Sequence, residues 1–139
     1  MNARYLPLIG RILIGLPFAM SGLGKLAAYG STTAMIGAVG LPFPPLAYVV
    51  AEAVELGGGL LLILGYRVRP VALALAVFCV ATAVSFHSNF ADQNQMIHFL
   101  ENVMIAGGLL QIAAFGAGAI SLDQRRVRST TPSAAARAA

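Results

Sequence analysis

Residues 46–65 read LAYVVAEAVELGGGLLLILG. Apart from Glu52 and Glu55, every residue in this stretch is apolar, tyrosine or glycine. At the helical rise, twenty such residues extend about 30 Å, the thickness of a bilayer's hydrocarbon core. The stretch therefore reads as a transmembrane helix carrying two carboxylates at membrane depth. Working outward, three further apolar runs have the same character, at about 6–24, 69–88 and 96–118. The expected fold is an all-α transmembrane four-helix bundle occupying residues 1–120.

Composition agrees. Of the 139 residues, 58% are hydrophobic and only 10% charged, with a mean hydropathy of +0.81. A soluble domain carries roughly 25% charged residues, so a soluble enzyme is excluded. Cys79 is the only cysteine and lies inside an apolar run, so a self-contained dithiol oxidoreductase is excluded as well. The first run has no small-residue cleavage site after it and is followed by further spans, which makes it a retained helix rather than a signal peptide. Between the first and second spans, Ser31–Pro45 is too short to cross and is broken by Pro42, Pro44 and Pro45. It reads as a short interfacial helix and an irregular re-entry into the membrane.

The basic residues assign an orientation. With the N-terminus in the cytoplasm, Arg4, Arg67, Arg69, Arg125, Arg126, Arg128 and Arg137 all fall inside, and the outer loops keep Lys25 and Asp92. Both termini are then cytoplasmic. Arg125–Arg128 is a topology determinant suited to anionic headgroups and needs no nucleic-acid partner. The segment 121–139 reads as a basic, disordered cytoplasmic tail, with its Ser/Thr/Pro/Ala part beginning at Ser129.

The second and fourth spans repeat one another at an offset of 49 residues. Glu52, Val54, Gly58, Gly59, Leu60, Leu61 and Ile63 recur as Glu101, Val103, Gly107, Gly108, Leu109, Leu110 and Ile112. Both helices run in the same direction, which points to a duplicated two-helix hairpin. The glycines read as packing devices that let helices approach closely in lipid. Either Gly58 and Gly59 meet Gly107 and Gly108, or they face Gly15 and Gly22 of the first span. They are not a phosphate loop, because no strand precedes them and no Lys-Ser/Thr follows.

The ionisable groups within the spans carry the chemistry. A charge at the bilayer centre costs about 2.5 to 3.5 kcal/mol on insertion scales, so such groups face the bundle interior and find partners. Arg11 lies roughly 9 Å inside the cytoplasmic boundary, and Glu55 is the carboxylate nearest to it in depth. An Arg11–Glu55 ion pair is the simplest neutralisation. Lys25, Glu52, His87, His98, Glu101 and Asn102 all fall in the outer half and form a candidate ligand site. There, His and carboxylate groups could exchange hydrogen bonds with a quinone's oxygens while apolar walls hold its tail. A metal site is not expected, because His87 and His98 are eleven residues apart across a loop and no short ligand spacing is present.

Taken in order, Arg11 through Gly15, Ser21-Gly22-Leu-Gly-Lys25-Leu26, Glu52, Gly58-Gly59-Leu60-Leu61, Gly65, Phe86-His87 and Asn102 with Gly107-Gly108-Leu109-Leu110 resemble the DoxX family of small four-helix bacterial membrane proteins. The resemblance covers roughly residues 5–120. It implies a cytoplasmic-membrane protein serving a quinone-linked redox or oxidative-stress process, since the family is named after a subunit of a thiosulfate:quinone oxidoreductase. One departure is Glu101, which stands where many relatives have Lys before the fourth-helix Asn. The leading expectation is an accessory, quinone-binding or small-molecule-binding component that is not a catalyst on its own. The alternatives are a proton-coupled carrier using Glu52, Glu55 and Glu101, and a structural partner subunit. Expected partners are the lipid bilayer, the amphipathic ligand, and a second copy or a membrane redox protein.

Overall fold

A computed structural model describes residues 3–130. Those residues form helices and connecting turns without a strand. After a 3₁₀ turn at Ala3–Tyr5 come α1 (Leu6–Leu26), α2 (Tyr29–Ala38) and α3 (Pro44–Glu52). A π-helical segment, Ala53–Gly58, joins α3 to α4 (Gly59–Leu64), and α5 (Val68–Phe86), α6 (Gln93–Phe115) and α7 (Leu122–Thr130) follow. The chain of α3, the π segment and α4 makes one span, Pro44–Leu64. With Ala3–Leu26, Val68–Phe86 and Gln93–Phe115 this gives four helices long and apolar enough to cross a bilayer. The fold class read from the sequence is therefore the one observed, including the short helix after the first span. Helix α2 ends before Gly40, and α3 starts on Pro44 and Pro45, where a proline's missing N–H has no helical partner to lose.

Large apolar side chains coat the outside. Leu13, Val77, Met104 and Phe115 are all more than half exposed, the arrangement expected where lipid tails replace water as solvent. Inside, the closest packing is between small residues. Helix α1 runs against α4 and the π segment, and α5 pairs along its length with α6. A side chain added at Gly59 would stand 2.7 Å from the Gly15 carbonyl oxygen and 2.8 Å from the Ala19 nitrogen, so the two backbones touch. Leu56 fills the notch at Gly22, and Leu75 of α5 fills the one at Gly58. Gly107 has open space beside it, and Gly108 meets only the Ile14 side chain. Thus Gly15 and Gly22 receive the second span, and Gly58 and Gly59 do not meet Gly107 and Gly108. The inner core is completed by Leu62, Leu75, Cys79 and Leu109.

One end of the bundle is fastened by Arg11. Its guanidinium donates to the carbonyls of Leu62 (2.9 Å) and Ile63 (3.0 Å) and to that of Ile120 (2.5 Å). The last carbonyls of a helix lack intrahelical donors and carry its negative pole, so a buried cation is well placed there. Gly65 makes the contact geometrically feasible. Its φ of +72° turns the chain out of α4, and any Cβ there would collide with the Arg11 guanidinium. On the same end, Asp123 accepts from the backbone N–H groups of Arg67 (2.7 Å) and Val68 (2.9 Å) and so caps α5. These ties, with Ser121 Oγ accepting from the Gln124 N–H, explain why Leu122–Thr130 is helical where the sequence reads as the start of a disordered tail. The remainder of that tail, residues 131–139, lies outside the described residues.

Candidate ligand site

The polar groups of the half of the bundle away from Arg11 divide into two sets. The inner set lies between α1 and the second span. Ser21 and Lys25 are four apart on α1, so they share a face, and both turn towards Glu55 in the π segment. Lys25 Nζ is 2.5 Å from Glu55 Oε2 and 2.8 Å from Ser21 Oγ, and Ser21 Oγ donates to Glu55 Oε1 at 3.4 Å. The Glu55 side chain is only 9% exposed. One turn nearer the start of α3, Glu52 is buried to 9% exposure, and neither of its carboxylate oxygens has a hydrogen-bond partner among the described residues. Tyr48, one turn further, closes the set by donating from its hydroxyl to the Lys25 carbonyl at 3.2 Å.

The expected Arg11–Glu55 pair is therefore replaced. Arg11 is consumed by helix-end carbonyls at the opposite end of the bundle, and Glu55 takes Lys25 instead. Arg11 needs no counter-charge. Three backbone carbonyls, two of them at the end of α4, satisfy a guanidinium equally well.

The outer set sits on the rim formed by α5 and α6. His87 Nδ1 lies 3.1 Å from Gln95 Oε1, and the His87 and His98 rings are 5.2 Å apart. His98 Nδ1 lies 2.9 Å from Glu101, both side chains being 51% exposed. Asn102 donates to the His98 carbonyl at 2.9 Å. The structure thus brings His87, His98 and Glu101 together, and Lys25 and Glu52 together, but not the six residues as one cluster. No group of three or more His, Cys, Asp or Glu suited to a metal ion occurs among the described residues.

Asn102 links the two sets. Helices α1 and α6 touch sparingly, and between them runs an open groove of about 220 Å³. Leu13, Ile14, Pro17 and Phe18 of α1 and Ile105 of α6 form its walls, with Ser21, Glu55 and Asn102 as its polar groups. Because Leu13 and Ile105 belong to the lipid-facing surface, the groove opens sideways into the bilayer. Glu55 and Ser21 were not among the residues the sequence assigned to a ligand site. The i, i+4 spacing of Ser21 and Lys25 was the available signal.

Four apolar spans, tight glycine-mediated packing and an ion pair held at membrane depth define a small polytopic membrane protein. The chain belongs to the DoxX family, whose family model matches residues 6–88. It is 39% identical over 117 residues to the inner membrane protein YqjF of Escherichia coli strain K12, covering 84% of this chain and 88% of that protein. It is also 37% identical over 123 residues to the inner membrane protein YphA of the same strain, covering 85% and 88% respectively. No solved structure matches the chain significantly.

Proposed function

We propose that this protein is an accessory component of a bacterial inner-membrane redox or oxidative-stress system, and that it takes an amphipathic small molecule of the quinone class from the bilayer into the α1–α6 groove. The observation that carries the reading is the groove itself. It has apolar walls, opens towards the lipid, and ends on a buried carboxylate, a hydroxyl and an amide. Such sites are mostly apolar with a few fixed polar groups that set orientation. A ring-sized head fits the volume, and an isoprenoid tail leaves through the open side. The names of the two relatives support an inner-membrane location. The clustering of Arg67, Arg69, Arg125, Arg126 and Arg128 at the Arg11 end supports cytoplasmic termini.

Native mass spectrometry of the protein released from membranes tests the reading. A retained quinone mass is expected in the wild type and not in Ile105→Trp, which fills the groove from its wall. Retention undiminished in Ile105→Trp would move the ligand elsewhere, and a bare protein mass in lipid nanodiscs supplemented with quinone and its hydroquinone would reject the binding role.

A further inference from the structure

The hydrogen-bond inventory of the groove is lopsided. A carboxylate offers about four acceptor sites and no donor. At Glu55 two of these are filled, by Lys25 and by Ser21. Most of the donors nearby are already committed. The single hydroxyl hydrogen of Ser21 goes to Glu55, and one of the two amide hydrogens of Asn102 goes to the His98 carbonyl, leaving one. Lys25 gives hydrogens to Glu55 and Ser21. Its third has an acceptor in reserve, because Glu52, whose oxygens are both buried and unpartnered, lies within electrostatic reach of it. Pro17, in the groove wall, has no N–H to give to the carbonyl of Leu13, another wall residue. The site is rich in acceptors and short of donors.

From this imbalance we infer that the groove selects amphiphiles whose ring head donates a hydrogen bond, a hydroquinone or other phenol, over the oxidised or O-methylated form of the same shape. The donated hydrogen goes to Glu55 Oε1, whose present bond to Ser21 is long at 3.4 Å. A quinone carbonyl or an ether oxygen, being only an acceptor, meets a carboxylate at Glu55 and is left with the one remaining amide hydrogen of Asn102, so it binds more weakly. Binding of either reduced or phenolic head leaves the Lys25–Glu55 pair in place. The inference rests on the groove being the binding site, as proposed above, and adds the polarity of the ligand's head.

The chain supplies its own reporter. Lys25 is its only lysine, so protein labelled with ¹⁵N-lysine gives one side-chain ammonium resonance, adjacent to the site. The experiment titrates labelled protein in lipid bilayers with 4-octylphenol and, separately, with 4-octylanisole, its methyl ether. The phenol should move the Lys25 resonance saturably, with an apparent affinity about tenfold or more above the ether's, the size expected for one hydrogen bond to a charged acceptor. Ile105→Trp, which leaves the ion pair intact, should abolish the response, and Glu55→Gln should remove the preference. Equal responses to both probes, blocked by Ile105→Trp, would overturn donor selection while leaving the groove as a binding site. No response to either probe would overturn the groove reading and this inference with it.

Discussion

The second and fourth spans share seven residues in the same order, yet the bundle uses them in opposite ways. Glu52 is buried, whereas its counterpart Glu101 is half exposed beside His98. Gly59 lies against the Gly15 backbone, whereas Gly108 touches one methyl of Ile14, and Gly107 faces open space. The second span contains a π-helical segment over Ala53–Gly58, whereas the fourth is regular α-helix from Gln93 to Phe115. A π turn sacrifices helix regularity and recurs at functional sites. Here it holds Glu55, which in the fourth span corresponds to Met104. Position in the bundle, more than the motif, decides the role. Helix α1 packs along the second span and only grazes the fourth, so one copy of the repeat became a packing surface with an internal ion pair. The other became one wall of a groove and a lipid-facing surface.

This contrast can be broken experimentally. The largest effect is expected for Gly59→Val, because backbone atoms of α1 stand where the new side chain must go. Overpacking of well-packed sites costs about 1–3 kcal/mol or more, and with rigid backbone as the obstacle the folded fraction in mild detergent should collapse in size-exclusion profiles. The matched change Gly108→Val should leave a folded protein. Next comes Lys25→Met. Removing one partner of a buried pair leaves an uncompensated carboxylate and costs on the order of 3 kcal/mol, read as a marked fall in thermal midpoint by circular dichroism. Adding Glu55→Gln to Lys25→Met should recover much of that loss, whereas adding Glu101→Gln should recover none. Smallest is Gly107→Ala, which meets nothing within 4 Å and should change stability by less than about 0.5 kcal/mol. A large effect there would show that the fourth span is covered by another protein surface in the membrane.

Length and hydropathy were enough to read the four spans and the short helix after the first, because a bilayer imposes one thickness and excludes unsatisfied backbone. Depth along a helix was legible too: Lys25 and Glu52 are neighbours as their levels implied. What the sequence hid was azimuth. Glu55 is the carboxylate nearest to Arg11 in depth, but Arg11 turns to the end of α4, where Gly65 leaves room for it. His87, His98 and Glu101 share a level with Lys25 and Glu52 but occupy the α5–α6 rim. Helix rotation depends on which small residues meet which neighbours. Two copies of Gly-Gly-Leu-Leu gave no basis for choosing between them. The helical part of the tail was missed because the residue that anchors it, Asp123, accepts from the backbone N–H groups of residues 67 and 68, far away in sequence.

Photolabelling tests the groove most directly. An azidoquinone equilibrated with the protein in bilayers is irradiated, and the adducts are located by peptide mass spectrometry. Adducts concentrated on residues 13–21 of α1 and 102–105 of α6, and diminished by excess unlabelled quinone, are the predicted result. Adducts confined to the α5–α6 surface around Val77, Val80 and Leu110, or spread evenly over the lipid-facing residues, would contradict a ligand site between α1 and α6.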